Sequence, residues 1–267
     1  MSHARHPLLC GAWSATLLLI AATAHADDPP PGWSGQGQAG YLMSRGNSDA
    51  DSANAQLNVN YVQSAWKHSL LVDGLYGRSA GIVSAERWEA LLQSSYQIDA
   101  RWFSFAALND QSDEFSGFQY QASVAGGVGY KFLNTEATQL TAQIGAGVRR
   151  LRPEELFRDA DGAVVERVPG DASSEAIVTA GMDFDHAFNA STKLTDKLLM
   201  EAGSANTSIR NDLALQVKMS RKLALAAGFG VRQNTNPPAG LKRTDTVTTL
   251  NLVYAFGARP QATGNTQ

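Results

Sequence analysis

Cysteine is almost missing from this chain. The single one, Cys10, sits in an N-terminal stretch that reads as an export signal. Arg5, with His3 and His6, makes a weakly basic start. Leu17-Leu18-Leu19-Ile20-Ala21-Ala22 forms a short apolar centre, and Ala24-His25-Ala26 fits a small-x-small cleavage site before Asp27. Leu8-Leu9-Cys10-Gly11 could suggest a lipid anchor, but no adequate apolar core precedes that cysteine. Cleavage after Ala26 leaves a mature chain without a thiol, which excludes disulfides, thiolate metal sites and cysteine nucleophiles together. Histidine is scarce as well: beyond the signal only His68 and His186 remain. Long apolar runs are missing too, since no later stretch approaches the roughly 18 consecutive apolar residues of a membrane helix. A net charge of −3 argues against a nucleic-acid partner.

Strict alternation fills the space these absences leave. Ser52-Ala53-Asn54-Ala55-Gln56-Leu57-Asn58-Val59-Asn60-Tyr61 places Ser, Asn and Gln on one side of a strand and Ala, Leu, Val and Tyr on the other. The motif recurs along most of the chain, at about the 9–11 residues a tilted strand needs to cross a bilayer. Strands are expected near 34–44, 52–62, 66–77, 86–98, 101–109, 119–132, 138–151, 174–188, 192–201, 208–220, 222–233 and 244–256. An even count of about 12 suits a closed antiparallel transmembrane β-barrel. The mildly polar mean hydropathy is what an aqueous interior produces.

Loop lengths and aromatics test that expectation independently. Connections read as tight at 63–65, 99–100, 133–137, 189–191 and 221, and as longer at 45–51, 78–85, 110–118, 152–173, 202–207 and 234–243. Taken in order the two sets alternate, as short periplasmic turns and longer extracellular loops do. Tyr61, Trp66, Tyr96, Tyr130, Phe132, Phe184, Phe188, Tyr254 and Phe256 fall at the tight-turn ends, with Tyr41, Tyr76, Trp88 and Tyr120 at the other. Two such belts mark headgroup levels. Two segments fit poorly. Arg101-Trp102-Phe103-Ser104-Phe105 has aromatics on both parities, and 192–201 turns Asp196 toward lipid, where a mid-bilayer charge costs on the order of 2–4 kcal/mol. A wrong register or a bulge would explain the second.

With strands placed, three motifs resemble a known family. They are Gly46-Asn47-Ser48-Asp49, Gly126-Gly127-Val128-Gly129-Tyr130-Lys131-Phe132, and Asn236-Pro237-Pro238-Ala239-Gly240 followed by Thr244-Asp245 and Tyr254-Ala255-Phe256. They resemble the bacterial salt-induced outer-membrane protein family, a domain of unknown function of Gram-negative bacteria. The resemblance implies an outer-membrane barrel with some link to salt stress, and it supplies no catalytic residues. Tyr254 and Phe256 also resemble the terminal signal read by the barrel-insertion machinery, although a polar tail, 257–267, follows here.

The expected organisation is therefore a signal peptide (1–26), a short leader (27–33), a barrel (34–256) and the tail. The candidate lumen-lining residues are Gln56, Asn58, Gln93, Gln121, Gln143, Gln216 and Asn251. Charges such as Arg87, Glu89, Lys131, Arg149, Asp183, Asp185, Arg210, Asp212 and Lys218 lie nearer strand ends. Such an interior suits either a polar pathway with charged rims or a plug of satisfied hydrogen bonds and ion pairs. Inward glycines at 127, 129, 145, 147 and 181 suit packing or curvature better than a passage. No catalytic site, cofactor or metal is expected: His68 and His186 lack an orienting third group. Asp159-Ala160-Asp161-Gly162 only echoes the start of a calcium loop. The expected partners are outer-membrane lipid, lipopolysaccharide and the insertion machinery, with the barrel itself a monomer. A small channel leads the functional readings, ahead of a non-conducting envelope barrel and, third, a hydrolase.

Overall fold

A computed structural model describes residues 32–44, 50–114, 116–160, 164–238 and 241–257. The expected signal peptide and most of the leader, the 46–49 motif, Asp161-Gly162 and the tail beyond Gly257 lie outside the described residues. Every regular element among them is a strand: β1 (Trp33–Ser44), β2 (Ala50–Gln63), β3 (Trp66–Ser79), β4 (Ile82–Gln97), β5 (Trp102–Asp113), β6 (Phe118–Asn134), β7 (Thr138–Arg158), β8 (Val164–Pro169), β9 (Ser173–Ala187), β10 (Thr192–Gly203), β11 (Thr207–Lys218), β12 (Leu223–Asn234) and β13 (Thr244–Gly257). All but β8 form one ring. Each strand pairs antiparallel with its neighbours, β7 pairs with β9, and β1 meets β13 from Ser34↔Gly257 to Ala39↔Leu252. Twelve strands thus close into a transmembrane barrel without a free edge, and every ladder hydrogen bond finds its partner within the wall.

Several connections are shorter than expected, two of them by the largest margin. The 78–85 segment reduces to Ala80 and Gly81, with φ of 50° and 82°, the left-handed pair that suits a two-residue hairpin. The 152–173 segment holds more strand than loop: β7 runs on to Arg158 and β8 pairs back on it from Glu154↔Pro169. These stretches project beyond the bilayer, where no lipid enforces the apolar alternation that marks a strand. The longest connections still gather at one end, the extracellular one by the sorting rule of such barrels.

The packing is inverted relative to a soluble protein. Leu57, Val72, Ile144, Val148 and Leu252 are exposed on the outer wall, and Leu250 is 70% exposed. The only cluster of buried apolar residues among those described is Ala224, Ala226 and Val253. Around the periplasmic end, Trp33–Tyr61, Trp66–Tyr96 and Trp102–Tyr130 pair across strands with ring centroids 4.8–5.1 Å apart. These pairs make a headgroup-level belt.

The two misfit segments have local explanations. In β5, Trp102 points outward, while Phe103 and Phe105 turn inward and are 7% and 6% exposed. They fit because the facing strands carry glycine: a Cβ on Gly129 would lie 2.1 Å from Phe103 Cζ, and one on Gly145 would lie 3.0 Å from Phe105 Cζ. In β10 the register is regular on both sides. Asp196 does lie on the outer parity, where Asn211 Nδ2 donates to its carboxylate at 2.7 Å. The carboxylate is accommodated by a hydrogen bond from a neighbour, with no bulge.

Two tests follow from this packing. Gly129→Val drives methyl groups into the Phe103 ring, so we expect a loss of about 1–3 kcal/mol, seen as a lower urea midpoint in lipid vesicles. Asn211→Leu strips the Asp196 carboxylate of its donor and should cost about 1–3 kcal/mol. The Asp196→Leu/Asn211→Leu double variant should regain wild-type stability or exceed it, and a double variant as weak as Asn211→Leu would contradict the pairing.

Candidate functional site in the barrel lumen

Inward parity brings the polar faces of all twelve strands together, but the interior is not uniform. On the side of β4 to β7 it is filled. Phe103 and Phe105 lie over the glycines of β6 and β7. Gln93 and Gln143 exchange side-chain amide hydrogen bonds at 3.2 and 3.3 Å, bridging β4 to β7. Gln121, farther along β6 opposite Leu151, is buried with its Oε1 unpartnered among the described residues. On the other side a cavity of about 1470 Å³ runs along β1 to β3 and β9 to β13. Gln56, Asn58, Gln216 and Asn251 line it. Gln38 Nε2 donates to Gln56 at 2.7 Å, Asn60 Nδ2 to Asn58 at 2.7 Å, and Asn54 Nδ2 to Asn251 at 2.9 Å. The seven expected lining residues therefore divide: four border the cavity, and Gln93, Gln121 and Gln143 belong to the filled side.

Toward the extracellular side, charges cross the interior. Arg210 of β11 meets the Glu89 carboxylate of β4. By either path around the ring those strands stand six apart in twelve, so the contact spans the barrel. Asp212 collects Arg232 at 2.8 Å and Arg210 at 3.9 Å, and Arg87 lies 3.5 Å from Asp73. Asp73, Arg87, Asp212 and Arg232 also border the outer part of the cavity. Beside this group, Arg149, 1% exposed, donates from Nη2 to Glu175 at 2.6 Å and to the Asn206 carbonyl, with Nη1 3.5 Å from the Glu201 carbonyl. The Glu201 side chain accepts from Ser123 Oγ at 2.6 Å. Parity reveals these charges as inward, yet nothing local reveals which strand each reaches. Glu89 is also less peripheral than expected, because β4 begins at Ile82 and extends beyond the bilayer.

Loops cover the outer mouth. Gly117, with φ of 78°, presses its backbone against Pro238 and Leu241, leaving no room for a side chain. This joins the β5–β6 turn to the β12–β13 loop across the opening. Asn236 of that loop donates to the Ala205 carbonyl at 3.1 Å, and its N–H donates to Asn206 Oδ1 at 3.1 Å. Arg167 of β8 ties in Glu114 at 2.7 Å and Glu154 at 2.9 Å. Burial pushes the Glu114 carboxyl up, with the Arg167 guanidinium opposing the shift.

At the periplasmic end the cavity opens between turns, bordered by Glu136, Ser191, Arg221 and Lys222. Its charges lean basic. Lys193 is held by Asp185 at 2.6 Å, Lys131 donates to Gln97, and Lys218 donates to the Ala190 carbonyl at 2.9 Å. Lys67, from β3, lies within electrostatic reach of Asp183, Lys197 and Asp185.

The two histidines lie on the outer wall. His68 Nδ1 is 2.8 Å from Ser94 Oγ and stacks on Trp66 at 5.9 Å; His186 Nδ1 is 2.9 Å from Thr138 Oγ1 and packs edge-on against Phe188 at 4.7 Å. Both belong to the periplasmic aromatic belt, and no carboxylate bonds either ring among the described residues.

Several known proteins are similar in sequence or outline. The uncharacterized protein YdiY of Escherichia coli K12 is 24% identical over 234 residues, covering 86% of this chain and 87% of that one. Among solved structures, the NanC porin is 10% identical with a TM-score of 0.44, covering 85% of this chain and 100% of its own. An outer-membrane channel of Pseudomonas putida F1 is 10% identical with a TM-score of 0.45, covering 84% and 95%. Residues 37–256, nearly the whole ring from β1 to β13, match the family described as "Protein of unknown function, DUF481". The chain belongs to that family.

Proposed function

We propose that this barrel is a narrow outer-membrane passage for ions or small polar solutes, held closed by its own side chains. One observation carries the reading. A polar cavity of about 1470 Å³, open between the periplasmic turns, is obstructed on its outer side by side-chain contacts and loops; among the described residues no inserted backbone fills it. The Glu89–Arg210 contact and the Gly117–Pro238 junction are contacts that rotamer and loop shifts can release. The exposed apolar wall and the aromatic belts support a bilayer setting, and the signal-like N-terminus supports export to the outer membrane. A link to salt fits the same reading. Ion pairs reached by lumen water weaken as the screening length falls from about 10 Å at 0.1 M to about 3 Å at 1 M.

A second reading, a non-conducting envelope barrel, draws on the filled side: the aromatic–glycine packing and the Gln93–Gln143 pair suit permanent occlusion.

Planar-bilayer recordings separate the two. Wild-type protein should give small, infrequent openings whose conductance, normalised to bulk conductivity, rises with KCl. The Glu89→Ala/Arg210→Ala variant should conduct severalfold more, and Gln56→Trp less, each checked for folding by heat-modifiable gel mobility. Folded, inserted wild-type and double-variant barrels that both pass no current would leave the envelope-barrel reading standing.

A further inference from the structure

The geometry points to an anion-binding site in the periplasmic vestibule, suited to small multivalent carboxylates or phosphates; its role in transport rests on the passage reading, its binding does not. The whole chain carries a net charge of −3, yet this end of the lumen is locally inverted in sign. Lys67, Lys197, Arg221 and Lys222 have no carboxylate within ion-pair distance among the described residues, and the latter three border the cavity. Of the nearby acids, Asp185 is already engaged by Lys193. Asp183 and Asp212 stand opposite Lys197 on the adjacent strands, but Asp212 is engaged by Arg232, which leaves Asp183 and Glu136 to face those four cations.

Position matters as much as count. β3 and β10 stand six apart in the ring of twelve, so Lys67 and Lys197 approach from opposite walls, near enough to act on each other electrostatically. Arg221 and Lys222 sit on the turn at the cavity entrance. Two ammonium groups facing each other across a lumen with low-dielectric walls raise the local potential, and such a cleft concentrates counter-ions of opposite charge. A multivalent anion between them would bond both ammonium groups at once, which chloride cannot do. The outer half of the lumen offers no comparable site, because its guanidinium groups are already matched to carboxylates.

Citrate and inorganic phosphate serve as probes, titrated calorimetrically into the refolded full-length barrel in detergent at low ionic strength. Citrate should bind more tightly than phosphate and lose affinity as KCl is added. Lys67→Gln/Lys197→Gln should weaken citrate at least tenfold; if that variant folds poorly, Arg221→Gln/Lys222→Gln tests the entrance instead, with a smaller loss. Absence of citrate binding to the wild type, or unchanged binding in folded variants, overturns the inference. Reversal potentials in a KCl gradient separate it from the passage reading. Current that prefers potassium removes the site's role in transport and leaves the passage standing, whereas citrate binding without current upholds the site and removes the passage.

Discussion

A backbone amide in hydrocarbon must find its partner within the protein, because an unsatisfied group there costs several kcal/mol. That constraint fixes most of what is seen here. It closes the sheet into a ring, and the ring gives every strand one face toward lipid and one toward the lumen. The side-chain period of two then sorts the chain, with Leu57 outside and Asn58 inside. Where a polar side chain breaks the sorting, as Asp196 does, it brings a hydrogen-bond donor from the adjacent strand.

Twelve strands enclose a space too wide for side chains from one wall to fill and narrow enough for long side chains to bridge. The protein meets this in two ways. On one side, aromatic rings from β5 lie in the room left by glycines of β6 and β7, which is ordinary close packing. Elsewhere, long charged side chains reach across. Burying such charges is costly unless each is well bonded. Arg149 meets that condition, since its planar fork engages the Glu175 carboxylate and two backbone carbonyls, an arrangement a lysine could not reproduce. Arg210 and Glu89 do so less completely, which makes their contact the more readily released of the two.

What could be read in the sequence follows from what lipid enforces. The strands within the bilayer, their parity and the aromatic belts were legible, because hydrocarbon admits so few alternatives at those positions. Where β3, β4 and β7 project beyond it the alternation lapses, and the pattern carries no strand signal for the hairpin through Ala80-Gly81 or for β8. Inside the lumen, Gln56 and Gln143 share a parity and a residue type, yet one borders open space and the other is locked against Gln93. That difference depends on Gln93 and on Gly181, where the Gln143 side chain fills the room a Cβ would take, relations that are purely spatial. The Glu89–Arg210 contact was hidden for the same reason, since its partners lie on diametrically opposite strands. Lys67 and Lys197 had their inward parity written into the pattern, but their approach across the lumen depends on ring position, which no local motif records.

The seam between β1 and β13 carries a further consequence. Its pairing, Ser34↔Gly257 through Ala39↔Leu252, joins the two extremes of the barrel-forming chain, while most other pairings join consecutive strands. Ladders of the local kind can form early and cheaply, because each closes a short loop. The seam closes the longest, and contacts of that separation form slowly. Until β13 arrives, β1 presents an unpaired edge, and a nascent sheet held in that state is prone to self-association. Closure of this barrel therefore rests on its slowest contact, and both edges of the sheet stay open until the ring is complete.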